Sequence, residues 1–238
     1  MRKGRNINRT SAVGLALVVG VAAASISAAA AGAGTHAVVA KGPITTTTAK
    51  VGAASVAPAV PLGAQVIFSN FGPPGNAYNA GVGWTVSEPG SPPGLFQNAN
   101  AFTPSVGSQV TRIDLALTHV SGVNNAVIKL ATDNGGIPGT VLGSFFVFGQ
   151  PPFGTCCAVT TVNVSPIIPV AAGHKYWVVA VAGPNGANNT WDAWQLTYNG
   201  ASTGAVKSWN GSTWLDFTGD PSGAFDVIGC GKLCKVFP

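Results

Sequence analysis

Charged residues are scarce in this chain: Asp, Glu, Lys and Arg make up 8% of its 238 residues, against the ~25% usual for soluble proteins. Histidine occurs three times and methionine once. So small a set of titratable groups gives little support to enzyme chemistry. The paired carboxylates of a glycoside hydrolase would have to come from Glu88 and six aspartates scattered among loops and strands. A zinc site would draw on His119, His174 and the cysteines or aspartates, with no H-x3-H or C-x2-C spacing to start from. No window sustains a 3.6-residue apolar period, so a helical fold is not expected either.

The net charge of +5 invites a nucleic-acid reading, and the distribution of charge removes it. Arg2, Lys3, Arg5 and Arg9 precede "SAVGLALVVGVAAASISAAAAGAG", which has the charged region, apolar region and small-residue run of a secretory signal. Between Ala64 and Gly229 the bases are Arg112, Lys129, Lys175 and Lys207, against all seven acids. That part is mildly acidic and lacks the basic stripe a phosphate backbone requires. The run from Ala12 to Ala33 reaches the ~18 residues of a membrane span, so an uncleaved signal-anchor is the rival reading. Ala28-Ala29-Ala30 and Ala31-Gly32-Ala33 offer A-x-A cleavage sites. The expectation is a signal peptide over residues 1–33, no membrane span in the mature chain, and a secreted or cell-surface location.

Residues 34–63 mix Thr, Ala, Pro and Val without aromatic residues, the composition of an extended, disordered linker. Residues 64–229 are long enough for one domain with a real core. They read as all-β: short runs of Val, Ile, Phe, Trp and Thr alternate with Gly, Pro and Asn clusters every ~8–12 residues. The expected fold is a single β-sandwich, jelly-roll-like. In "RIDLALT", Ile113, Leu115 and Leu117 face one side and Arg112, Asp114 and Ala116 the other. "YWVVAVAG" is apolar on both faces and reads as a central strand. "TDNGGIPGT" reads as a turn, closed by its Pro-Gly step. The strand pattern ends at "AFDVIG", leaving 230–238 as a cysteine-containing tail outside the module.

Several short motifs suggest chemistry. "GASTG", Gly200 to Gly204, spells the G-x-S-x-G nucleophile elbow. The elbow needs a following helix and a later histidine, yet no helical pattern follows Ser202 and the last histidine is His174. Asp133 and Asn134 carry oxygens of the right hardness for a structural calcium, although such residues in turns ordinarily bond their own backbone. No other cofactor is implied. Cys156, Cys157, Cys230 and Cys234 form an even set in an exported chain, so disulfides are expected. Adjacent strand residues point to opposite faces, and their Cα atoms lie ~3.8 Å apart across a trans peptide. Geometry alone favours pairing each of Cys156 and Cys157 with a tail cysteine.

"VIFSNFGPPGNAYNAGVGWTVS", "QNANAFTPSVGSQVTRIDLAL", "LATDNGGIPGTVLGSF", "PPFGTCCAV" and "AFDVIG" follow one another in this chain in an order that resembles bacterial surface proteins of the choice-of-anchor R type. The resemblance covers about Ala64 to Gly229. It implies an extracytoplasmic β-sandwich module with no known catalytic residues. A recognisable C-terminal anchor is not present, which favours free secretion. "PPFGTCC" belongs to the resembling module whereas the tail is variable, and this implies a vicinal Cys156–Cys157 bridge with a separate Cys230–Cys234 loop.

Tryptophan supplies the binding candidates. On a strand, "TWDAWQL" sends Trp191 and Ala193 to one side and Asp192, Trp194 and Leu196 to the other. Trp194, Leu196 and Tyr198 then read as a core face, leaving Trp191 exposed. "SWNGSTW" reads as a hairpin whose Asn210-Gly211 suits a two-residue type I′ turn. With a loop of two residues or four, Trp209 and Trp214 share a sheet face. Trp191, Trp209 and Trp214 are therefore the candidate ligand-binding residues, and a glycan or extracellular matrix component is the expected partner. The leading expectation is a non-enzymatic secreted binding module. The alternatives are a structural extracellular protein without a small ligand and an exported glycoside hydrolase.

Overall fold

The structure, a computed structural model, describes residues 63–183 and 187–231. The signal-peptide and linker assignments up to residue 62, and the tail from residue 232, lie outside the described residues. Within them the chain forms thirteen strands and no helix. These are β1 (Ala64–Ser69), β2 (Tyr78–Ser87), β3 (Gln97–Phe102), β4 (Ser108–Leu115), β5 (Leu117–Ser121), β6 (Asn125–Asn134) and β7 (Ile137–Phe148). There follow β8 (Thr160–Val170), β9 (Tyr176–Ala182), β10 (Trp191–Thr197), β11 (Val206–Trp209), β12 (Trp214–Asp216) and β13 (Phe225–Cys230).

Eight strands form a jelly roll. β1, β13, β4 and β8 make one sheet, and β3, β9, β6 and β7 are neighbours in another. Numbered among themselves in chain order, these are 1-8-3-6 against 2-7-4-5, the double Greek key in which the chain crosses repeatedly between facing sheets. β11 and β12 widen the second sheet to six strands, and β2, β10 and β5 form a three-stranded sheet. Ile113, Leu115, Trp194 and Phe225 meet Phe102, Ile128 and Val178 of the six-stranded sheet in one core. The all-β sandwich expected from alternation is the fold observed.

The three-stranded sheet continues the four-stranded one. Ala116, between β4 and β5, donates its N–H to Ala224 O at 3.0 Å and accepts from Gln195 N at 2.8 Å. One extended run from Ser108 to Ser121 thus serves two sheets, and its Ile113, Leu115 and Leu117 all enter the core. β9 lies between β3 and β6 as its two apolar faces require. Val178 and Ala180 enter the main core, while Trp177 and Val179 join a separate cluster on the opposite face.

Three local expectations are corrected, and the loop length left open for the hairpin is decided. The β6–β7 turn is the pair Gly135-Gly136, with φ of 63° and 89°. Asn134 faces Ile137, so Pro138-Gly139 belongs to the strand rather than closing the turn. The β11–β12 hairpin has a four-residue loop, because Asn210 Oδ1 accepts the N–H groups of Ser212 and Thr213 and holds the wider turn. Tyr198 is 47% exposed and not part of the core, since β10 ends at Thr197 and the alternation ends with it. β13 runs to Cys230, one residue past the expected boundary: Cys230 pairs with Ala64 and Gln109, is fully buried, and accepts from Ser108 Oγ at 2.9 Å.

Candidate functional site

The outer face of the six-stranded sheet gathers the half-buried tryptophans of the hairpin and the exposed phenylalanines of the far edge. Trp209 lies directly across from Trp214, and Trp209 also faces Gln97 of β3. Farther along the sheet Val181, Val127 and Phe146 of β9, β6 and β7 lie side by side. At a strand spacing of ~4.8 Å, six strands span about 24 Å, with polar Gln97 between the tryptophan pair and the apolar residues of β9, β6 and β7. Trp209 and Trp214 are half-buried, with ring centroids 5.7 Å apart and planes inclined by 56°. The pair is an open clasp, not a flat floor. Trp214 packs on the cluster that contains Ala99, Ala101, Trp177 and Val179, where the small side chains of β3 let the indole lie close to the sheet.

A polar rim borders this clasp. One row along, Lys207 Nζ contacts Asp216 Oδ1 at 2.8 Å. The hydrogen bonds from Lys207 and Thr218 hold the Asp216 carboxyl down at about 2. The loop beyond carries Asn210, Ser212 and Thr213, all exposed. A ring clasp flanked by an ion pair and hydroxyl or amide groups combines apolar area with directed hydrogen bonding.

Trp191 is elsewhere. It begins β10 in the three-stranded sheet, half-buried, paired with Ser87 and Ser121. Its indole nitrogen is buried and makes no hydrogen bond to the described residues. The structure therefore brings two of the three tryptophan candidates together and separates the third. Trp194 is fully buried as expected, donating Nε1–H to Ala224 O at 3.0 Å.

Asp133 and Asn134 sit at the β6–β7 turn. Asp133 accepts from Trp177 Nε1 at 2.7 Å and from the Gly136 N–H at 3.2 Å, so each carboxylate oxygen has a protein donor. Ser202 lies in the exposed loop between β10 and β11, with no helix after it among the described residues. Cys156 and Cys157 are bonded to each other across a cis peptide, with Cα atoms 3.1 Å apart. Cys230 is disulfide-bonded too, and Cys234 lies outside the described residues.

Sequence reading missed a polar group at one end of the core. Asp192 is fully buried, and its Oδ1 meets His119 Nδ1 at 2.9 Å. Glu88 accepts the Thr190 N–H nearby at 2.9 Å. Burial, with the Glu88 charge adding to it, pushes the Asp192 carboxyl up to about 6, against the pull of His119. On the four-stranded sheet burial likewise lifts Asp226 to about 6 and raises Asp114, although Arg112 Nη2 contacts Asp114 Oδ2 at 2.9 Å. No sequence signal marks the His119–Asp192 pairing, because the two stand 73 residues apart, whereas strand alternation does put Arg112 and Asp114 on one face.

No family model matches this chain, and none of the curated proteins matches it in sequence.

Proposed function

We propose that this protein is an exported, non-enzymatic β-sandwich module that binds a glycan on the outer face of its six-stranded sheet. The observation that carries the reading is the half-buried Trp209–Trp214 clasp beside Lys207 and Asp216. A sugar ring offers C–H groups to an aromatic face and hydroxyls to the neighbouring polar atoms, and two inclined indoles on one rigid hairpin present both. The secretory pattern of residues 1–33 and the resemblance to choice-of-anchor R surface modules support a place outside the cell.

Affinity electrophoresis in gels cast with a panel of polysaccharides tests the proposal. At least one gel retards the wild-type protein, and Trp209→Ala or Trp214→Ala relieves the retardation with the melting temperature nearly unchanged. Equal mobility of wild type and variants on every gel removes glycan binding and leaves the structural reading.

A further inference from the structure

We infer that the β7 edge is a self-association surface, at which a second copy of this chain adds antiparallel to the six-stranded sheet. β7 closes that sheet on one side. From Ile137 to Phe148 it carries no charged residue. Its register against β6 is unbroken from Gly143 to Phe148, and Phe146 and Phe148 are 63% and 72% exposed. An edge strand leaves alternate N–H and C=O groups pointing outward, and folded proteins ordinarily blunt such edges with prolines, charges, bulges, shortness or cover.

The other sheet edges among the described residues are each blunted at some point in those ways. β12 is three residues long, and β1 is interrupted by a register shift between Val66 and Phe68. β8 carries Pro166 and Pro169 and a register shift. β5 is covered where His119 exchanges backbone hydrogen bonds with Pro151 and Phe153, and β2 where Ser87 exchanges them with Phe96. The segment "GSFFVF", Gly143 to Phe148, is ladder-paired on one side only, to β6; Gly143 at its start lies against Ile168 of β8, and the rest has high strand propensity and neither charge nor proline.

Its chemistry fits a copy of itself. A two-fold axis perpendicular to the sheet keeps outer residues on the outer face, so it pairs only residues whose numbers share parity. An axis at Phe146 aligns the span from Ser144 to Phe148: Phe146 meets its own counterpart, and Phe148 meets the counterpart of Ser144. Aromatic pairs directly across strands are favourable, and an uncharged strand brings no like charges together. The inner residues Phe145 and Val147 remain in the core of each copy. The described residues of each chain hold one such edge, so pairing through it closes at a dimer. The inference does not depend on glycan binding.

Sedimentation equilibrium of the full chain tests it. The wild type reaches dimer mass at roughly 100 μM, above the micromolar constants of weak interfaces. Phe146→Lys alone and Phe146→Glu alone sediment as monomers with unchanged melting temperatures, and an equimolar mixture of the two returns to dimer mass. Ser144→Lys, at an exposed position, weakens the dimer in the same way. A monomeric wild type, a dimer indifferent to both Phe146 substitutions, or a mixture that stays monomeric overturns the proposal.

Discussion

Gly223 lies against the indole of Trp194 so closely that a Cβ added to it would stand 2.7 Å from the ring. Its N–H donates to Asn100 Oδ1 at 2.8 Å and its carbonyl accepts from Asn70 Nδ2 at 2.9 Å. The residue therefore fixes the indole, β3 and the loop after β1 at one point. Gly223→Ala is expected to lower stability by about 1–3 kcal/mol through overpacking. Urea denaturation measures it, and an unchanged midpoint would mean that the indole moves aside freely.

Core and surface tryptophans separate by energy. Trp194→Ala empties a fully buried site that touches Phe225 edge-on, and is expected to cost about 3–5 kcal/mol. Trp209→Ala removes a half-buried ring and costs less. Equal losses at both positions would place Trp209 in a structural role and weaken the glycan-binding proposal.

Acid is expected to stabilise the domain over one interval. The carboxyls of Asp192 and Asp226 titrate near 6 when folded, from an ordinary value of 3.8. The folded state therefore holds these protons more tightly than the unfolded chain. The stability they contribute is fully present below about pH 4 and is lost as pH rises through about 6. The melting temperature should fall between pH 4 and pH 7, and Asp192→Asn should flatten that slope. A melting temperature that rises steadily across the interval would contradict the assignment.

Tyr78 should anchor the cysteine loop. Its hydroxyl donates to the carbonyl of Ala158 at 2.7 Å or of Thr155 at 3.0 Å, and burial pushes its ionisation up to about 12. Tyr78→Phe keeps the ring contact with Phe71 and removes the donor. The expected loss is about 1–2 kcal/mol, with faster amide exchange confined to the loop at residues 153–159. Exchange that accelerates uniformly across the sheets would point to the ring instead.

Alternation made the sandwich legible, because Ile113, Leu115 and Leu117 repeat at period two and one face of each strand is buried. It also put Trp209 and Trp214 on one face, since either loop length preserves parity. Alternation does not say which side turns inward when both faces of a strand are apolar. In "GSFFVF" the odd-numbered Phe145 and Val147 turn inward and Phe146 and Phe148 outward, and nothing local distinguishes the two sets. The exposed β7 edge was invisible for the same reason: edge position depends on which distant strand stops pairing. The His119–Asp192 contact was illegible too, because β5 and β10 become neighbours only through tertiary pairing.

Ala116 turns the run from Ser108 to Ser121 into a beam spanning two sheets. A load that shears the four-stranded sheet past the three-stranded one must rupture both of its backbone hydrogen bonds and drag Leu115 and Leu117 through a packed interior. The seam is a stiff joint and not a hinge, so force arriving at either sheet reaches the other without slack.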